Sequence, residues 1–158
     1  MTISAGDAIP SGSVTVMGPD GPRPVTTEEL FNGKKVVMFA VPGAFTPGCS
    51  RTHLPGFVVN ADKILARGVD SIICLAVNDV FVMDAWGKAQ NAEHIIMAAD
   101  GNGDFTRALD LELDATGFGM GKRSRRYAMV VDDGKVIYLG IDERDIDKSS
   151  AETVLDNL

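Results

Sequence analysis

The chain has 158 residues, enough for one domain spanning 1–158 whose core needs no disulfide or metal staple. With 15 basic against 22 acidic residues it carries a net charge of −7, which argues against nucleic acid or an anionic membrane surface as a partner. No apolar run approaches the roughly 20 residues of a membrane helix. The two cysteines are no disulfide scaffold, and MTISAGDAIPSGSV lacks the basic-then-apolar order of a secretory signal, so a reducing cytoplasm is the expected location.

Residues 14–17 read as a short strand, closed by a Gly/Pro-rich turn over 18–22. Thr26 stands three residues before Glu29, the spacing of a capping box, and opens a short helix that ends at Phe31 before Asn32-Gly33. Residues 36–41, VVMFAV, form a β-branched apolar run that reads as a buried strand. A helix is then expected from Cys49 to about Arg67, with Gly68 as its C-cap and a kink at Pro55. Its apolar stripe runs through Leu54, Phe57, Val58, Ala61, Ile64 and Leu65.

Residues 70–77 are a second buried strand, which makes a βαβ unit with parallel strands and a right-handed crossover. A helix over 80–90, a strand over 95–98 and a helix over 103–110 follow. Strands over 127–131 and 136–139 flank Asp133-Gly134, a dipeptide suited to a type I′ hairpin turn. Residues 149–158 are a terminal helix capped by Ser149 or Ser150. Repeats and linkers are absent, and the alternation predicts an α/β fold with a mixed central β-sheet and helices on both faces.

Cys49 sits where a strand ends and a helix begins. Unpaired N–H groups in a helix's first turn favour a thiolate, the form that attacks electrophiles. Thr46 can bring a hydroxyl to the sulfur, and Pro42 and Pro47 stiffen the loop. The plainer alternative is a small buried cysteine, with Thr46 and Pro47 as N-cap and first helical residue.

The pattern Pro42-x-x-x-Thr46-x-x-Cys49, within VPGAFTPGCSRTHLPGF, resembles the active-site run of the peroxiredoxins, type II or peroxiredoxin-five subfamily. The similarity continues through Val77-Asn78-Asp79, Phe81, Trp86, Ala99-Asp100-Gly101 and Arg123-Ser124-Arg125-Arg126-Tyr127, and so covers nearly the whole chain. It implies a thioredoxin-like fold and a thiol-dependent peroxidase in which the Cys49 thiolate attacks a peroxide and becomes a sulfenic acid. The same resemblance makes Thr46, Pro42 and Arg126 the supporting catalytic residues, with no metal, flavin or haem. It also implies a homodimer, with Phe45 and Phe81 as interface candidates by analogy.

Other features keep alternatives open. Lys122-Arg123-Ser124-Arg125-Arg126 is in plain terms a solvated charge run, and the net charge counts against nucleic-acid contact. Cys74, 25 residues after Cys49, is either a buried core thiol or a resolving cysteine for an internal disulfide. Without resolution by Cys74, glutaredoxin with glutathione, or thioredoxin, must reduce Cys49 directly. His53 shares a helix face with Cys49 and is expected as a supporting residue at the pocket edge, since a zinc site lacks paired ligand spacing. Two rivals are an oxidation-switched binding protein and a thioredoxin-like disulfide reductase; the chain has no Cys-x-x-Cys to favour the second.

Overall fold

Side-chain alternation along β3 (Lys35–Val41) generates two cores, one on each face of a sheet. Val37, Phe39 and Val41 enter a cluster of 23 buried residues on one face. Val36, Met38 and Ala40 enter a cluster of 16 on the other. A strand buried on both faces reads as a continuous apolar run, which is how this one stands in the sequence. A computed structural model describes residues 1–158.

Around β3 the chain lays down β1 (Ser13–Gly18), β2 (Gly21–Thr26), β4 (Ser71–Ala76), β5 (Ile95–Ala99), β8 (Arg126–Asp132) and β9 (Lys135–Asp142). Their spatial order is β2-β1-β5-β4-β3-β8-β9. The β3–β4 and β4–β5 pairs are parallel, and the other four pairs are antiparallel. The sheet is therefore mixed, and the fold is thioredoxin-like. Two short strands, β6 (Glu112–Asp114) and β7 (Lys122–Ser124), pair with each other outside it.

Helices α2 (Leu54–Leu65), α3 (Val80–Ala89) and α5 (Ala151–Asp156) cover the first face with Leu54, Phe57, Trp86 and Val154. Helices α1 (Thr27–Phe31) and α4 (Asp104–Leu109) cover the other with Phe31, Phe105 and Leu109. The capping box forms as expected: Thr26 accepts from the Glu29 amide, and the Glu29 carboxylate accepts from the Thr26 amide. Ser150, one of the two expected caps, accepts from Thr153 N at the head of α5. Asp133 and Gly134 both have positive φ, 48° and 78°, as a type I′ turn requires.

Three expectations give way. Residues 21–26 are a strand despite Pro22 and Pro24, which the sheet tolerates because β2 lies at its edge. The helix after Cys49 ends at Leu65 with Ala66 as its cap, and Gly68 comes two residues later in a left-handed turn, φ +88°. Pro55 does not kink α2; it sits in the helix's first turn. The irregularity falls one turn earlier, where Cys49–His53 is a π-helical turn and the Leu54 N–H reaches the Cys49 carbonyl. A proline ring crowds the turn before it and supplies no N–H, and the wider turn relieves both faults.

Candidate active site

β3 ends at Val41, and the loop that follows is braced at each step. The Thr46 hydroxyl donates to the Gly43 carbonyl at 2.6 Å, and the Ala44 amide donates to Asn78 Oδ1 at 2.9 Å. A Cβ on Gly43 would stand 3.0 Å from Met120 Cε and 3.1 Å from Thr46 Cγ2, so the loop closes tightly where glycine leaves room. Phe45 takes a left-handed conformation, φ 64°, which costs a bulky residue roughly 1–2 kcal/mol. Its ring is 56% exposed and tilts toward buried Trp86, whose Nε1 donates to Ser50 Oγ at 3.0 Å.

Helical backbone begins at Pro47, and the Ser50 amide makes an early intrahelical bond to the Thr46 carbonyl at 2.9 Å. Thr46 and Pro47 thus occupy the N-cap and first helical positions, but the hydroxyl faces back to Gly43 rather than capping the helix. Cys49 falls in this first turn, among N–H groups that lack intrahelical partners. Its side chain is fully buried and its thiol is free.

Arg126, the first residue of β8, crosses to this turn. Its Nη2 donates to Cys49 Sγ at 3.2 Å and its Nη1 to His53 Nδ1 at 2.8 Å. A guanidinium has donors and no acceptor, so Nδ1 must be the unprotonated nitrogen of that ring. The other nitrogen, Nε2, then carries the proton and donates to the Ser149 carbonyl at 2.8 Å. His53 is not at the pocket edge: it is 1% exposed and lies against the Phe39 and Phe57 rings, at 5.1 and 5.6 Å between centroids. Burial, followed by the positive charge of Arg126, lowers its pKa to about 4. With both nitrogens engaged, His53 has no lone pair left for a metal.

Asp142, which pairs with Arg126 across the β8–β9 ladder, holds the turn that presents Ser149. It accepts from the amides of Asp147, Lys148 and Ser149 and from Ser149 Oγ, at 3.0, 3.3, 2.8 and 2.7 Å. Burial would raise its pKa, but these hydrogen bonds outweigh that and leave it below the usual carboxylate range. Asp142 carried no signal in the sequence, and Ser149 stood there only as a candidate helix cap, not as the partner of His53.

The basic cluster separates by position. Lys122 pairs with Asp114 at 3.2 Å, and Arg123 Nε donates to the Met120 carbonyl at 2.9 Å beside the Gly43 loop. Of the sequence candidates, Cys49 and Arg126 are in contact, while Thr46 and Pro42 form the adjoining loop. Cys74 lies in the middle of β4, between Phe39 and Met97 in the sheet register, and is fully buried. Burial first, and the neighbouring Cys49 second, push its thiol pKa well up. A groove of about 510 Å³ between β1, β2, α3 and β5, lined by Met17, Leu30, Ile95 and Met97 among others, contains none of these residues.

The arrangement presents a buried sulfur to a fixed cation and to the open end of a helix, which stabilises negative charge on that sulfur. Comparison with known proteins agrees. The Redoxin family model matches residues 4–155. Peroxiredoxin-2D of Arabidopsis thaliana is 44% identical over 156 residues, covering 97% of this chain and 96% of that protein. Reduced Prx3 of Vibrio vulnificus in complex with H2O2 superimposes with a TM-score of 0.95 at 51% identity, covering 98% of both chains. Peroxiredoxin 5 of Alvinella pompejana gives 0.84 at 40% identity, over 98% of this chain and 97% of that one. The chain belongs to the Redoxin family and is a peroxiredoxin, a thiol-dependent peroxidase, of the type II group.

Proposed function

We propose that Cys49 is the peroxidatic residue and that it reduces hydrogen peroxide and alkyl hydroperoxides. The carrying observation is the 3.2 Å contact from Arg126 Nη2 to Cys49 Sγ, in the first turn of a helix. The thiolate forms a bond to one peroxide oxygen while the O–O bond breaks. Hydroxide or alkoxide leaves and takes a proton from water; sulfur is oxidised by two electrons and the peroxide reduced by two. Arg126 and the helix N–H groups stabilise the charge as it moves from sulfur to the leaving oxygen. Thr46 has committed its hydrogen to Gly43, so its oxygen is free to accept from the peroxide O–H. Pro42 holds the wall of the loop.

Glutaredoxin with glutathione, or thioredoxin, then returns the sulfenic acid to the thiol. The reading of Cys74 as a core thiol is supported by its burial in β4 and its raised pKa, both of which disfavour it as an attacking thiolate. An internal Cys49–Cys74 disulfide is the alternative. Two free cysteines fit a reducing compartment such as the cytoplasm. Phe45 and Phe81, 56% and 64% exposed, are the apolar side chains on which a homodimer would close beside the site.

Single turnover of the reduced protein with one equivalent of hydrogen peroxide, read by intact mass and thiol mapping, tests this. Oxidation should be fast at Cys49 and absent in Cys49→Ser. Equally slow oxidation of both proteins would defeat the assignment. A mass loss matching a disulfide would replace external reduction of the sulfenic acid with resolution by Cys74.

A further inference from the structure

We infer that His53 is a positioning residue for the peroxide reaction: its Nδ1 seats the Arg126 guanidinium against Cys49 Sγ, and its Nε2–H hangs that seat on the Ser149 carbonyl. The inference rests on the roles proposed above for Cys49 and Arg126 and adds what holds the two together.

Arginine is long, and one bond to sulfur leaves its fork free to rotate and withdraw. Here the two terminal nitrogens are divided: Nη2 goes to Cys49 Sγ and Nη1 to His53 Nδ1, at 3.2 and 2.8 Å. Two fixed points orient a planar group where one cannot. The imidazole is itself held, being buried against Phe39 and Phe57 and donating to Ser149 O at 2.8 Å. That carbonyl belongs to a turn organised by four hydrogen bonds to the Asp142 carboxylate. Tyr138 braces the same turn by donating its hydroxyl to the Lys148 carbonyl at 2.6 Å, and Gly140 passes beneath, where any Cβ would overlap that carbonyl. The line from the C-terminal segment to the sulfur therefore runs Asp142, Ser149, His53, Arg126, Cys49, with every donor and acceptor assigned.

The seat works in one protonation state. An imidazolium would oppose an N–H to the Arg126 N–H and set two positive charges in contact. The charged or titratable groups around the ring are Arg126 from β8, Asp142 from β9 and Cys49 from its own turn. Burial and the Arg126 charge keep the ring neutral down to a pH of about 4, so at neutral pH the acceptor is always present.

Two substitutions separate the two nitrogens. In His53→Asn the amide oxygen stands near the place of Nδ1 and can still accept from Arg126. In His53→Gln the longer amide reaches the place of Nε2 and serves Ser149 instead. The rate of Cys49 oxidation by hydrogen peroxide should fall about tenfold or more in His53→Gln, the scale of a lost hydrogen bond to a charged group. In His53→Asn it should stay within about threefold of wild type. Equal rates in the two variants, whether high or low, would overturn the inference, as would a faster His53→Gln.

A measurement on the native ring guards against misfolded variants. His94→Gln removes the only other histidine, an exposed one, and leaves His53 as the sole imidazole. Nitrogen-15 NMR of that protein should find Nδ1 unprotonated and Nε2 protonated at neutral pH; a protonated Nδ1 overturns the seat. A wild-type protein unreactive toward peroxide would sink the Cys49 assignment and leave this spectroscopic result to decide the seat alone.

Discussion

Cys49 and Cys74 make a controlled comparison within one molecule. Both are fully buried, both are free, and both belong to the same apolar cluster. They differ in backbone address. Cys74 lies inside a strand whose N–H and C=O groups are spent on β3 and β5, with apolar neighbours in register and no donor on its sulfur. Cys49 lies in the opening turn of a helix, with a guanidinium 3.2 Å from its sulfur. Burial alone raises the cost of a thiolate, and only the second address supplies what offsets that cost. The two sulfurs thus differ in the dipoles and cations that converge on them and not in their exposure.

The sharpest way to break the comparison is to exchange the sulfurs' fates. Cys49→Ser should abolish peroxide consumption, whereas Cys74→Ala should leave the single-turnover rate within about twofold of wild type. Iodoacetamide at neutral pH should label Cys49 and spare Cys74 until the protein unfolds, which peptide mapping would detect. Labelling of Cys74 in the native protein would contradict its sealed environment.

Next in size is the cation. Arg126→Lys keeps the charge but cannot serve Cys49 Sγ and His53 Nδ1 together, because an ammonium lacks the planar fork. The peroxide rate should drop on the order of 100-fold, the scale of losing an oriented donor at a reacting centre. A lysine variant with native rate would mean that charge alone suffices.

A third test is thermodynamic. Folding lowers the His53 pKa from 6.5 to about 4, so between those values the unfolded chain binds a proton that the folded chain refuses. The contribution is complete above about pH 6.5 and is lost as pH falls toward 4, by roughly 3 kcal/mol in all. Urea unfolding at both ends of this window should show a steeper loss in wild type than in His53→Asn, which keeps only the carboxylate contribution of groups such as Asp142. Parallel curves would put the proton elsewhere. The smallest effect is packing: Cys74→Ala should cost roughly 1 kcal/mol in the same assay, as removal of one buried heavy atom.

The parts of the fold that the sequence made legible are those with short-range signals. The Thr26–Glu29 box, the Asp133-Gly134 turn and the apolar runs of β3 and β4 each carry their cause within a few residues. So does the strand-to-helix address of Cys49. The edge strand β2 was hidden because two prolines are read as a turn until its place at the sheet edge is known. Phe45 was hidden because a left-handed backbone is ordinarily glycine's, and here tertiary contacts impose it. The His53 seat was hidden for a third reason. Its members come from positions 49, 53, 126, 142 and 149, joined across as many as 96 residues by the closing of the β8–β9 hairpin onto the first face. No periodicity encodes such a meeting.

Gly140 shows what that closing demands. The missing side chain there lets the strand slide under the Lys148 carbonyl, which sets how far the last turn can settle toward the sheet. Even a methyl group would act as a shim, lifting the turn and everything suspended from it. A survey of inactive variants would therefore return position 140 beside those that meet the peroxide, although nothing at that position ever touches a reacting atom. At position 140 the constraint is the clearance between two backbone segments, not distance from the sulfur.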